Sequence, residues 1–469
     1  MIALTLAEVA ELVGGTLTGG AEGAVVTGKV TLDSRAVAPG DLFVAVLGER
    51  VDGHDFLAAA AAAGAVGALA VRPDDALPCV VVADPVAALG RLAAGVHARL
   101  VDGGLRTLAI TGSSGKTSTK DLLGQVLAAA GPTVSPPGSY NNDIGLPLTV
   151  LDASEGTRFL VLEMGARGPG HIARLCAVAR PHVGVVLNVG SAHLGEFGSA
   201  EVIAQAKGEL VEALPEHGTA VLNADDPRVL GMAARTRARV LATGRGPEAH
   251  VRATGVVLDE SARARFTLVA EGEEHPVALQ VVGEHQVANA LSAAGAALAA
   301  GLALGEVAAA LSAAGPLSRW RMEVERRADG VTVVNDAYNA NPESMRAALA
   351  ALTGLPATRR IAVLGAMGEL GPGAAAEHER LGRDAAAAGV DLIVAVGPDA
   401  VGITDGASAA GRRTKEESVH VPDRDTAREL LVATLRPGDV VLVKASRSYG
   451  LEALAADLLA AGGSGEGAA

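Results

Sequence analysis

The chain has 469 residues, of which 49% are hydrophobic but only 2% aromatic, and its formal net charge is −14. An acidic chain poor in Phe, Tyr and Trp lacks the basic patch and the stacking platforms of a nucleic-acid binder, so no nucleic-acid partner is expected. Two distant cysteines, Cys79 and Cys176, exclude a disulfide framework and a Cys-rich zinc site, and both read as small buried hydrophobes.

At roughly 150 residues per domain, the length suggests about three domains. No basic stretch opens the chain, and its longest apolar run, residues 56–71, is interrupted by Gly64 and Gly67. That run is shorter than the ~20 residues a spanning helix needs, so a cytoplasmic protein without membrane insertion is expected.

Residues 1–103 hold short apolar runs at 42–46 and 80–83, with an Ala-rich helix at 56–63 between them. Val101-Asp102-Gly103-Gly104 reads as a connection. Residues 104–317 alternate strand and helix patterns: strands at 107–111, 159–164 and 182–189, helices at 116–130, 170–179 and 200–214. Such alternation predicts a parallel sheet covered on both faces. Residues 250–282 alternate more and suggest an antiparallel patch. Residues 318–469 repeat the α/β pattern, with strands at 331–335, 360–364, 392–396 and 440–443 and helices at 344–352 and 426–435. The Gly-rich tail, 462–469, reads as disordered. The expected fold class is therefore α/β in three domains, the first two bounded at 103 and 317.

The string Ala109-Ile110-Thr111-Gly112-Ser113-Ser114-Gly115-Lys116-Thr117 lies between a predicted strand and a predicted helix, the context of a phosphate-binding loop. Its glycines turn backbone N–H groups toward an anion, and the helix N-terminus adds partial positive charge. Lys116 would reach terminal phosphates and Thr117 would ligate Mg²⁺. Ile110 stands where the usual motif has its first glycine. Glu163 closes a strand, at the end where ligands bind in open α/β sheets. By spacing alone it is equally a solvated loop acid, His193 a structural histidine and Lys207 a solvated helical lysine.

Taken together, these motifs resemble the Mur ligases, ATP-dependent amide-forming enzymes of peptidoglycan precursor synthesis. The resemblance rests on the Thr-Gly-x-x-Gly-Lys-Thr loop, Glu163, His193, the Lys207 context and the run Arg321-Met322-Glu323-Val324, and it spans essentially the whole chain. The string Asn335-Asp-Ala-Tyr-Asn-Ala-Asn-Pro342 resembles the branch that adds a dipeptide rather than a single amino acid. Supporting strings are Asn141 to Pro147, residues 363–371, Asp33-Ser34-Arg35 and Asp52 to Phe56.

The resemblance implies small-molecule partners, namely UDP-MurNAc-tripeptide, D-Ala-D-Ala and ATP, with Mg²⁺ as cofactor and a monomeric enzyme. It implies a UDP-binding N-terminal domain, a central ATPase domain and a Rossmann-like C-terminal domain. For ATP it implies contacts from Thr111, Gly112, Ser113, Ser114, Gly115, Lys116, Thr117, His285, Asn289, Arg321 and Asp336. Ser34, Arg35, Asn141 and Asn142 would serve the UDP substrate, and Tyr338, Asn339 and Asn341 the dipeptide side. Thr117, Glu163, His193 and a carbamylated Lys207 would be the metal ligands, with Lys116, Lys207, His193 and Arg321 as the catalytic set.

Departures from the family pattern are Gln286, where Asn is common, and Ala445, which interrupts the expected Lys-Gly-Ser-Arg and would alter that loop if a positive φ were needed. Arg319 competes with Arg321 as the phosphate contact. Hinges are expected near Gly103-Gly104 and Pro316. A rival reading, a nucleotide-switch binding protein, would require an Asn-Lys-x-Asp guanine signature, and the chain has none.

Overall fold

The computed structural model describes residues 1–48, 50–190, 194–412 and 414–461. His193 and the Gly-rich tail lie outside the described residues.

Near the N-terminus, Thr5 and Glu8 form a reciprocal cap that starts the helix Leu6–Val13. The first sheet runs Thr16–Thr18, Cys79–Val81, Gly67–Ala70, Leu42–Val44, Val30–Thr31, parallel except at its first pair. The Ala-rich helix is Leu57–Ala63. A helix absent from the sequence reading, Pro85–Asp102, follows. Asp84 caps it and Pro85 sits in its first turn, where a missing N–H costs nothing. Its apolar stripe, Leu89, Leu92, Val96 and Leu100, repeats every three or four residues and is buried. Val101 and Asp102 are thus the last helical turn and not a connection, which shrinks to Gly103 and Gly104. That stripe shares one hydrophobic cluster with Leu146, Val150, Ile172 and Leu175 of the central domain.

The central sheet has nine strands in the order Glu273–Val282, Arg263–Ala270, Val251–Leu258, Arg239–Gly244, Thr219–Asn223, Val183–Val186, Arg106–Thr111, Phe159–Glu163, Thr133–Val134. The first three form the expected antiparallel meander, and the rest are parallel. The parallel strands are buried on both faces, so they read as continuous apolar runs. Arg106–Thr111 lies between the strands that diverge to either side, a topological switch point where ligands bind beyond the carboxyl ends. Register pairs Glu163 with Ile110 and Val186 with Thr111, so three strand ends finish level at the phosphate loop.

The C-terminal sheet runs Glu323–Arg326, Thr332–Asn335, Asp439–Lys444, Arg359–Gly365, Leu392–Val396, Ser418–Val421. Only the first pair, a hairpin, is antiparallel. Apolar clusters line both faces under helices such as Pro342–Gly354 and Leu451–Ala461, the Rossmann-like arrangement. Ala445 corrects one expectation. It is fully buried, does not adopt positive φ and packs against Gly365, so no backbone demand for glycine exists there. Among the described residues, no helix is long and apolar enough to cross a membrane.

Candidate active site

The phosphate loop connects Arg106–Thr111 to the helix Lys116–Ala128, which starts at Gly115 with no side-chain cap. Its first N–H groups therefore keep their donor capacity for an anion. Gly115 has φ +79°, and a Cβ there would collide with the Asn289 amide oxygen. Asn188, just past the adjacent strand, accepts from the N–H groups of Ser113 (3.0 Å) and Ser114 (2.9 Å). It also donates to the Ser114 carbonyl at 3.2 Å. This clasp fixes the loop. Lys116 Nζ donates to the Gly112 carbonyl at 2.7 Å.

Below the loop, the Glu163 carboxylate is 1% exposed. It accepts from Thr117 Oγ1 (2.9 Å), Ser139 Oγ (2.6 Å) and Asn141 Nδ2 (2.7 Å). All three donors are neutral, and no described cation lies within ion-pair distance. A buried carboxylate is ordinarily paired or bound to metal. Hard oxygens from Glu163 and Thr117, completed by phosphate oxygens, suit Mg²⁺. The residues present therefore fit the ion, although His193 lies outside the described set.

Lys207, on the helix Ala200–Glu212, is 4% exposed and lines the same cleft. Among the described residues it has no anionic or hydrogen-bonding partner. Burial, and then the neighbouring charge of Lys116, push its amine well below the ordinary lysine value. Burial also lowers Lys116, against the pull of Glu163.

The C-terminal domain closes the other wall. Arg321 Nη2 donates to Thr117 Oγ1 at 3.1 Å, and its guanidinium lies 4.0 Å from the centre of the Tyr338 ring. Arg319 is exposed and does not line the cleft, so the geometry selects Arg321. Tyr338 stacks on Trp320, over which Arg447 sits at 4.3 Å. Tyr338, Asn339 and Asn341 all line the cleft. Asn341 is committed to a second task, since its side chain accepts from Ser344 N at 2.9 Å to cap Pro342–Gly354.

The cleft holds about 760 Å³ and collects residues of all three domains, from Val86 to Arg447. Ser113 to Thr117, Asn141, Asn142, Glu163, Lys207 and Arg321 meet in it. Other expected residues do not line it. Asn289 backs the loop, donating to Gln286 Oε1 at 2.8 Å, which also shows where Gln286 is used. His285 fits beside Gly283, where a Cβ would strike its ring, and burial lowers its pKa. Asp336 is bound by Lys444 at 2.6 Å and accepts from Met322 N at 3.1 Å. Ser34 and Arg35 form a separate surface turn, with Arg35 paired to Asp33 at 2.8 Å. Ser139, Arg167, His171 and Asn188 were missed by the sequence reading, and all but Asn188 line the cleft, as does Arg447, the arginine of the Lys-Ala-Ser-Arg string. Asn188 fell inside the strand expected at 182–189, but the strand ends at Val186, which lets the Asn188 side chain turn to the loop.

An α/β chain with a phosphate loop, a buried carboxylate beneath it and a second α/β domain supplying an arginine has recognisable relatives. Residues 28–95 match the Mur ligase family catalytic domain, 110–297 the Mur ligase middle domain and 320–447 the Mur ligase glutamate ligase domain. The chain belongs to the Mur ligase family. It is 51% identical to the UDP-N-acetylmuramoyl-tripeptide--D-alanyl-D-alanine ligase of Mycobacterium tuberculosis (strain ATCC 25618 / H37Rv), over 98% of each chain. A crystal structure of MurF from Acinetobacter baumannii superposes with a TM-score of 0.88 at 33% identity, covering 98% of this chain and 99% of that one. The MurF ligase of Thermotoga maritima in complex with ADP gives 0.80 at 31% identity, over 93% and 98%.

Proposed function

We propose that this chain joins D-alanyl-D-alanine to the terminal carboxylate of UDP-N-acetylmuramoyl-tripeptide, consuming ATP. The observation that carries the reading is one cleft holding the phosphate loop, Glu163 and residues 338–341 together. The near full-length likeness to ligases of that name, one of them solved with ADP, supports it.

A carboxylate is a poor electrophile, so it must first be activated. Its oxygen attacks the γ-phosphorus of ATP, the bond to the ADP oxygen breaks, and an acyl phosphate forms. The dipeptide amine then attacks the acyl carbon. The tetrahedral intermediate expels phosphate, and the nitrogen gives up a proton to leave the amide. The enzyme's share is positioning and charge stabilisation, as in most phosphoryl transfers. Lys116 and Arg321, one on each wall, face the charge that accumulates between two anions. Glu163 and Thr117 would hold Mg²⁺, which when bound offsets phosphate charge. Lys207, buried without a counter-ion among the described residues, suits addition of its neutral amine to CO₂ with loss of a proton, giving a carbamate whose oxygens would hold the same cation. Asn141 and Asn142 face the UDP-substrate side, with Ser34 and Arg35 on the N-terminal domain for the uridine end. Tyr338, Asn339 and Asn341 face the incoming dipeptide. The protein would act in the cytoplasm, as a single chain.

The test is incubation with UDP-MurNAc-tripeptide, D-Ala-D-Ala, ATP and Mg²⁺, with single amino acids offered in parallel, followed by mass spectrometry. The expected product is the pentapeptide, formed only with the dipeptide. Incorporation of a single amino acid instead would move the chain to a sibling ligase.

A further inference from the structure

Three residues on one face of the phosphate-loop helix, Thr117, Asp121 and Gln125, each bond the segment that leads into the C-terminal domain. The Gln125 amide pairs with Gly315 in both senses, donating to its carbonyl at 2.9 Å and accepting from its N–H at 3.0 Å. Asp121 Oδ2 accepts from Ser318 N at 3.2 Å. Thr117 accepts from Arg321 at 3.1 Å. The spacing is four residues per step on the helix, which keeps one face, and three per step on the linker, running the opposite way. Asp121 is 8% exposed, and its other oxygen takes Lys120 Nζ at 2.5 Å. Lys120 in turn donates to the carbonyl of Pro136, three residues before Ser139.

Arg321 needs such support. The residues on either side of it, Trp320 (φ +59°) and Met322 (φ +53°), sit in the left-handed region that side-chain-bearing residues seldom adopt. Strained backbone persists only where its surroundings over-determine it. The two lower rungs supply that constraint from one side, and the Asp336 bond to Met322 N supplies it from the other.

We infer that Gln125 and Asp121 are positioning residues that set the register of the 315–318 linker on the phosphate-loop helix and thereby hold Arg321 at Thr117. They touch no reacting atom themselves. The strip carrying Arg321 is thereby zipped to the helix that carries Lys116, and the two cations keep a fixed spacing across the phosphate loop.

The test uses Gln125→Leu, which removes both hydrogen bonds to Gly315, together with the one from Gln125 Nε2 to the Asp121 carbonyl within the helix, and keeps the side-chain size. Loss of a positioned group should lower kcat by roughly ten- to a hundredfold, with a smaller change in the KM for UDP-tripeptide. In an Arg321→Ala background the same substitution should cost nothing further, because the two act as a unit. The single tryptophan, Trp320, gives an independent readout, and its emission should shift in Gln125→Leu. Should Gln125→Leu lower the melting temperature sharply, Gln125→Glu, which keeps the acceptor and loses the donor, must show the same non-additivity. Additive losses, an unchanged kcat or an unchanged Trp320 emission would overturn the assignment. The kcat arm rests on the function proposed above, whereas the emission arm does not. A wild-type chain that makes no pentapeptide, with a shifted Trp320 in the variant, would sink the function and leave the linker assignment standing.

Discussion

Two buried lysines in this cleft region have opposite surroundings. Lys444 is bound to Asp336 and to the Asn339 carbonyl, so its charge is compensated. Lys207 meets no described anion, and a full positive charge there would carry an uncompensated desolvation penalty. Lys207→Ala should therefore lose most ligation activity, on the order of a hundredfold, and recover part of it when a short-chain carboxylic acid is added. Full activity without additive would refute the carbamate. His97 offers a pH effect away from the cleft. It is 5% exposed, bonded to Thr107 Oγ1 at 2.8 Å, and burial lowers its pKa from 6.5 to about 4. As pH falls from 6.5 toward 4, the unfolded chain takes up a proton that the folded one refuses, so stability falls with it. The loss saturates near 3 kcal/mol. In urea titrations across that window, His97→Gln should flatten the decline. At this scale the strand–loop–helix reading located the loop: Lys116 and Thr117 open the helix and Glu163 closes its strand where the sequence put them. It was silent on Asp121 and Gln125, because a ladder between residues nearly two hundred positions apart leaves no local pattern.

At the level of elements, capping decided what could be read. The helix expected from 344 begins at Pro342, two residues earlier, because Asn341 caps it and Pro342 fits its first turn. Replacing Asn341 by Ala should cost about 1 kcal/mol through loss of the cap, measured as a lower denaturation midpoint. It should also reduce ligation, since the same residue borders the cleft. A midpoint equal to wild type would mean that Ser344 caps the helix unaided. The helix Pro85–Asp102 carried the same kind of signal in Asp84-Pro85, but Ala and Gly dilute its apolar stripe and blur the period. The meander at 251–282 was legible for the converse reason. Its strands alternate because one face meets solvent, while the central parallel strands do not.

For the molecule as a whole, the two domain junctions differ physically. The N-terminal and central domains share a large hydrophobic cluster, whereas the central and C-terminal domains meet through a smaller apolar contact, Ala262 and Val282 against the helix Pro342–Gly354, and through polar contacts: the 315–321 ladder and the bond from Gly195 N to the Glu369 carbonyl at 3.1 Å. Of the two hinges expected from glycine and proline, the one near Pro316 has the weaker packing to overcome. Ligand-driven closure at that junction should lower the radius of gyration in small-angle scattering when an ATP analogue and UDP-tripeptide are both present. An unchanged radius at saturation would count against closure. The domain count was visible in strand–helix alternation, but the character of each junction was not, because it depends on which buried faces meet.

The shared cluster under Leu92, Val96 and Leu100 also limits how this polypeptide can be cut. Cleaving it at residue 103 would bare a greasy face on each fragment, inviting precipitation rather than yielding two tidy halves. Chimaeras that exchange the opening hundred residues with a sibling would inherit mismatched contours along that seam, whereas exchanges at 314–319 would have to preserve a few amide partners and the smaller contact of Ala262 and Val282 with the helix Pro342–Gly354.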